Sequence, residues 1–213
     1  MSGKIGKSER VSQSRVVQLF EKKMGYTYLG DWEEDVRIQP IEENLLKEYL
    51  TNKGYSTALT DKAVDTIVKA ATNLSDDLYE ANKEVYKLLR YGVTVREELG
   101  QPKETVWLID WKNPTNNDFA VAEEVTVAGK HTKRPDVVLF VNGIAVGVIE
   151  LKRSKVAVEE GIRQNLDNQK PEFTQKYFTT MQLVMAGNDT QGLRYGTIET
   201  SEKYYLKWKE ESD

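Results

Sequence analysis

The chain has 213 residues, enough for one sizeable domain, with 39% hydrophobic and 30% charged residues, a mean hydropathy of −0.59 and a formal net charge of −4. It has no cysteine and one histidine, His131, which excludes disulfides and thiolate or multi-histidine metal sites and speaks against a Ser-His-Asp triad. No apolar stretch nears the roughly 20 residues of a membrane span, and MSGKIGKSER has no secretory apolar segment, so no membrane association and a cytoplasmic location are expected. The acidic balance counts against a stand-alone DNA binder more than against a domain held on DNA by a larger assembly.

In chain order, the first part reads as helical. Glu9 to Lys23 carries Val11, Val16, Val17, Leu19 and Phe20 and stops at Gly25. Pro40 opens a second segment with Leu45, Leu46, Tyr49 and Leu50 on one side and Gly54 as its stop. A third run carries Ala63, Ile67, Val68 and Ala71, and a fourth, capped by Ser75 or Asp76, carries Leu78, Val85, Leu88 and Leu89. These faces read as core packing. From Tyr91 the period changes to two. Val93 to Val95, Thr105 to Ile109, Phe119 to Val127, Asp136 to Val141 and Ile144 to Ile149 read as strands, the last two joined by Asn142-Gly143, a strong hairpin signal. Helix returns over Val156 to Asn168, Pro171 interrupts it, a short helical piece follows, and Met181 to Ala186 reads as a buried strand. Asn188 to Gly192 reads as a turn. The expected architecture is a single α/β domain over 1–213, mainly helical over 1–90, with sheet and flanking helices over 91–213.

The chemistry concentrates in Arg134-Pro135-Asp136 and Glu150-Leu151-Lys152. Phosphodiester hydrolysis uses a divalent ion to bind the phosphate and lower the pKa of a water. Mg²⁺ takes hard oxygen ligands and keeps several waters, so Asp136, Glu150 and the Leu151 carbonyl form an adequate ligand set. Glu150 and Lys152, two apart on a strand, project from one face, which lets Lys152 position the water or the phosphate. Each residue also has a plain structural reading: an Asp after Pro opens many strands, and Glu-x-Lys is common on solvated faces. Their joint placement at the ends of neighbouring apolar strands favours the chemical one, because charge beside a buried sheet needs compensation.

Arg-Pro-Asp, the Asn-Gly hairpin, Glu-Leu-Lys and a following helix bearing Gln resemble the PD-(D/E)xK nucleases. The stretches SERVSQSRVVQLFEKKMGYTYLGDW, RPDVVLFVNGIAVGVIELKRSKVAVEEGIRQNLDNQKPEF and MQLVMAGNDTQGLRYGTIET resemble the N-terminal domain of type I restriction enzyme R subunits. The resemblance implies a three-layer αβα restriction-endonuclease-like fold with a central mixed sheet and cleavage of double-stranded DNA. It also implies assembly with methyltransferase and specificity subunits and a neighbouring ATP-driven motor, since this chain has no phosphate-binding Gly-x-x-x-x-Gly-Lys-Ser/Thr loop. Asp136, Glu150 and Lys152 match the core motif. Glu9 matches an acidic residue on the family's first helix, although a glutamate there also suits the helix dipole. Gln164 matches the glutamine of a Gln-x-x-x-Tyr element whose tyrosine is here Asn168. Ala157 and Gly161 on the same stripe would let the helix approach closely or simply pack. Lys152, Arg153, Lys155, Arg163 and Lys170 are candidate phosphate contacts or a solvated charge run. The alternatives are a catalytically inactive nuclease-like module for assembly or DNA docking, and a nuclease of another branch, such as a resolvase or repair exonuclease.

One geometric difficulty attends this reading. With a strict two-residue turn, Val141 pairs with Ile144 and Asp136 falls opposite Ile149, so Asp136 and Glu150 point to opposite faces. A one-residue shift is needed. It is expected either from a three-residue loop or from a β-bulge near Gly147, unless the strand bends after Pro135 and takes Asp136 out of the ladder.

Overall fold

A computed structural model describes residues 5–74 and 77–209, with side chains from residue 10 onward. The first helix, α1 (Ile5–Gln18), runs into one π-helical turn over Leu19–Lys23 and ends before Gly25, whose φ is +74°. Val17 is buried, whereas Val11 and Leu19, also read as core packing, lie exposed.

The strand β1 (Thr27–Asp31) follows, then α2 (Glu43–Asn52), α3 (Thr57–Thr72) and α4 (Leu78–Tyr91). Asp77 caps α4 by accepting the Glu80 N–H at 2.8 Å. The caps expected at Ser75 or Asp76 lie outside the described residues. A separate hairpin, β2 (Val93–Val95) and β3 (Glu104–Val106), packs with α2 to α4 around Leu46, Leu50, Ile67, Val85 and Leu108. Leu108 and Ile109, expected in a strand, lie beyond β3.

The main sheet comprises β1, β4 (Phe119–Glu123), β5 (Val137–Val141), β6 (Ile144–Leu151), β7 (Leu183–Asn188), β8 (Gly192–Gly196) and β9 (Leu206–Lys207). Their spatial order is β1-β4-β5-β6-β7-β8-β9; β1 runs parallel to β4 and β6 to β7, and the other neighbours are antiparallel. Between β6 and β7 lies α5 (Val158–Asn168). On one face, Val17 of α1 packs on Val121, Val137, Leu139, Ile149 and Leu151. On the other, Val158 and Ile162 of α5 pack on Ala122, Val138, Phe140, Val148 and Ala186. The result is the expected αβα sandwich.

The helices α2 to α4 close one end of it, at the Asn142-Gly143 turn. Gly143 has φ +81°, and a Cβ there would sit 2.7 Å from the Glu42 carbonyl oxygen and 2.8 Å from Leu45 Cβ. The opposite end of the sheet, where β4 and β6 finish and β5 begins, is left to the candidate site. Among the described residues, no helix is long and apolar enough to cross a membrane.

Candidate active site at the strand ends

The register of β5 and β6 answers the geometric difficulty. The turn is the strict two-residue one, Val141 opposite Ile144 and Phe140 opposite Ala145, but Leu139 pairs with Gly147 and Val137 with Ile149. Val146 is therefore the extra residue, next to the glycine expected to mark the bulge. Its carbonyl leaves the β5 ladder and accepts from Gln182 N at 2.8 Å. Continued by one residue, the shifted register sets Asp136 opposite Glu150, and opposed residues share a face. Val138, Val148 and Ala186 belong to the same face, the one that α5 covers.

Asp136 lies just before β5. Its carbonyl accepts from Glu124 N at 2.9 Å and that of Pro135 from Val125 N at 3.1 Å, so this segment follows β4. Proline has no N–H to offer the other neighbour. On the β6 side the Asp136 carboxylate serves instead of the main chain, its Oδ2 accepting from Leu151 N at 2.6 Å. The aspartate is thereby fixed at the end of β6 by both its main chain and its side chain.

Glu150 is only 1% exposed, and its Oε1 accepts from Lys152 Nζ at 2.8 Å. The same ammonium donates to Gln164 Oε1 of α5 at 2.8 Å. Glu150, Lys152 and Gln164 thus form one connected chain across the strand end and the covering helix. Removing one partner of a buried pair leaves a stranded charge. Lys152→Met is expected to cost about 3–5 kcal/mol in urea unfolding. The double variant with Glu150→Gln should recover most of that; a double variant no more stable than Lys152→Met alone would refute the coupling.

The close approach of α5 depends on Gly161. A Cβ there would lie 3.1 Å from Ala186 Cβ, 3.4 Å from Lys152 Cγ and 3.5 Å from Glu150 Cγ. Gly161→Ala gains up to about 1 kcal/mol of helix propensity. It meets a strand atom that cannot swing aside, an overpacking cost of about 1–3 kcal/mol. Net destabilisation near 1 kcal/mol is expected by chemical denaturation. Ala157 does not share this role: it caps α5 in extended conformation and is exposed.

The remaining sequence candidates divide. The backbone of Glu9 lies in α1, but its side chain is outside the described residues. Asn168 is fully buried, and within the described residues neither of its amide atoms has a hydrogen-bonding partner, so it does not extend the Lys152–Gln164 chain. Arg163 is paired with Glu160 and Glu202, and Lys170 with Asp167, which favours the solvated-charge reading for those two.

Two further groups were not legible in sequence. Glu123, at the end of β4, accepts from Gln13 Nε2 at 2.9 Å and from the Tyr28 hydroxyl at 2.5 Å. Burial first, and then the hydrogen bond to Glu123, push the Tyr28 phenol up, so it stays a donor. The turn after β7 clasps both helices. Asp189 accepts from Ser12 Oγ at 2.9 Å and from Arg15 of α1, while Gln191 Oε1 accepts from Val158 N of α5 at 2.8 Å. These partners stand 177 and 33 residues apart, beyond the reach of local pattern reading.

A mixed sheet between helices, with two carboxylates and a lysine at the ends of its central strands, defines an α/β protein of restriction-endonuclease-like architecture. The chain belongs to the family described as type I restriction enzyme R protein N terminus, whose model matches residues 6–203. It is 33% identical over 160 residues to the type I restriction enzyme HindI endonuclease subunit of Haemophilus influenzae, a match covering 71% of this chain and 15% of that protein. It is 30% identical over 144 residues to the putative type I restriction enzyme MjaVIIIP endonuclease subunit of Methanocaldococcus jannaschii, covering 64% of this chain and 13% of the relative. With the EcoprrI endonuclease subunit of Escherichia coli it shares 34% identity over 89 residues, 41% of this chain and 28% of the relative. The matched region is thus a small part of each relative's length.

Proposed function

We propose that this chain is the Mg²⁺-dependent endonuclease domain of a type I restriction–modification system, hydrolysing phosphodiester bonds of double-stranded DNA through a PD-(D/E)xK site. The observation that carries this reading is the bulge at Val146, which turns Asp136 and Glu150 toward one face at the end of the sheet.

The donor set suits a hard divalent ion: two carboxylates and the Leu151 carbonyl, with no thiolate and no imidazole. Among the described residues no three acidic or histidine side chains group into a self-contained metal site, but an ion that keeps several waters does not need a third carboxylate. Asp136, Glu150 and Leu151 would hold the ion, which when bound would polarise the scissile phosphate and acidify a water. Lys152, anchored by Glu150 and Gln164, holds an ammonium at the strand end, where it orients a water or a phosphate oxygen. Gln164 fixes that ammonium rather than reacting, and Glu9 on α1 is assigned to the same edge.

ATP hydrolysis is assigned to a motor region of the parent subunit, and base recognition to partner specificity and methyltransferase subunits. The relatives' names as endonuclease subunits support a place in a multi-subunit restriction enzyme. The test is cleavage of supercoiled plasmid by the assembled enzyme, wild type against Asp136→Ala, with and without Mg²⁺. Equal cleavage by both would favour a docking module over a nuclease.

A further inference from the structure

A second feature lies at the other end of the sheet. From Ile144 to Leu151, β6 spans eight residues, about 25 Å. Beside its hairpin end, between the last turn of α4 and the 107–112 segment, is a cavity of about 470 Å³. Its rim presents Trp107, Trp111 and Tyr91, which are 47%, 46% and 65% exposed. Large rings in such number are seldom left to solvent on one small patch without a use.

Cations are interleaved with them. The Arg90 guanidinium lies 5.4 Å from the Trp111 ring centre, Lys53 Nζ lies 5.2 Å from that of Tyr49, and Lys112 completes the lining. Against these three cations stands one carboxylate, Asp110, so the lining carries +2 in a chain of −4. Asp110 is already occupied. It accepts from Asn113 N at 2.9 Å and Asn116 Nδ2 at 3.0 Å, and the Asn113 N–H holds it below the usual carboxylate range. Its charge is met by Lys53, whose Nζ lies 3.8 Å from Oδ2, while Arg90 and Lys112 are exposed.

The platform is pre-set rather than loose. The Trp111 indole N–H donates to the Leu89 carbonyl at 2.8 Å, and the main chain of Trp107 donates to the Tyr55 hydroxyl at 3.0 Å. Beyond Trp111 a second cavity, of about 360 Å³, continues the groove past Tyr86 and Phe119, giving room for a following ring. Fixed aromatic faces bordered by cations match a ligand that has both a planar face and a negative charge in each repeating unit. Duplex DNA offers phosphates but keeps its base faces stacked inside.

We propose that this groove binds unpaired nucleotides, with a base stacked on Trp107 or Trp111 and its phosphates held by Arg90 and Lys112. The site is separate from the carboxylates and does not depend on the nuclease reading.

The test uses the whole chain in EDTA, so that cleavage plays no part. Fluorescence anisotropy of an eight-nucleotide single strand is followed, with competition by AMP and by duplex of equal length. Single-strand affinity is expected to fall about 5- to 100-fold in Trp111→Ala or Trp107→Ala. It should fall comparably in Arg90→Glu with Lys112→Glu, two exposed positions where folding is retained, with a shallower salt dependence. Competition by AMP as strong as that by the single strand assigns the site to free nucleotides and still supports it. Absence of binding, unaltered binding by the groove variants, or duplex competing as well as single strand overturns the proposal.

Discussion

Asp136→Ala or Glu150→Ala, placed in the full R subunit and assembled with its partners, is expected to lower plasmid cleavage by at least about 100-fold. Loss of groups that merely support a metal ligand already costs about 10- to 100-fold, and a direct ligand should cost no less. The two variants differ in their structural consequences. Asp136→Ala removes the acceptor of the Leu151 N–H, a hydrogen bond of about 1 kcal/mol, and leaves the sheet otherwise intact. Glu150→Ala also strands the ammonium of Lys152, whose side chain is 14% exposed, so instability and lost chemistry would be mixed. Glu150→Gln separates them by keeping the shape and an acceptor for Lys152. Cleavage should vanish in all three, while ATP hydrolysis and translocation by the parent subunit persist. Normal cutting by Asp136→Ala or Glu150→Gln in saturating Mg²⁺ would falsify the site.

The parts of this fold that sequence revealed are those governed by local periodicity. Helices α2 to α4 carry their apolar residues at helical spacing over ten or more residues, and β5 and β6 are β-branched runs joined by Asn-Gly. The missed strands are β1 (TYLGD), β8 (GLRYG) and the two-residue β9; all lie toward an edge, β1 and β8 contain glycine and alternate weakly, and their place is set by a neighbour rather than by their own pattern. At β4 the expected run continued to Val127, but Glu124 adopts φ +51° and ends the strand at Glu123. That left-handed residue is invisible in a composition of alternating Ala, Val and Glu. The site shows the same division. Asp136, Glu150 and Lys152 stood out by type and spacing, whereas Gln13, Tyr28 and Glu123 meet only through tertiary packing.

The bulge permits a sharper trial than any side-chain change. Deleting Val146 should restore a regular ladder from the Asn142-Gly143 turn, with Leu139 and Gly147 brought into the register of Phe140 and Ala145. The pairs from Leu139–Gly147 to Val137–Ile149 keep their partners, so Asp136 and Glu150 stay opposed and on one face. What is lost is the Val146 carbonyl that accepts from Gln182 N, with the local bend and twist of the bulge. The deletion is therefore expected to destabilise the domain by about 1–3 kcal/mol in urea unfolding while cleavage is retained. Val146→Ala, which keeps the residue count, should retain the register and near-normal cleavage, because Val146 uses its main-chain carbonyl toward Gln182 and only part of its side chain is buried. Loss of cleavage in a deletion variant that folds as stably as Val146→Ala would mean that the opposed pairing of Asp136 and Glu150 does not make the site, and the single-site arrangement would have to be abandoned.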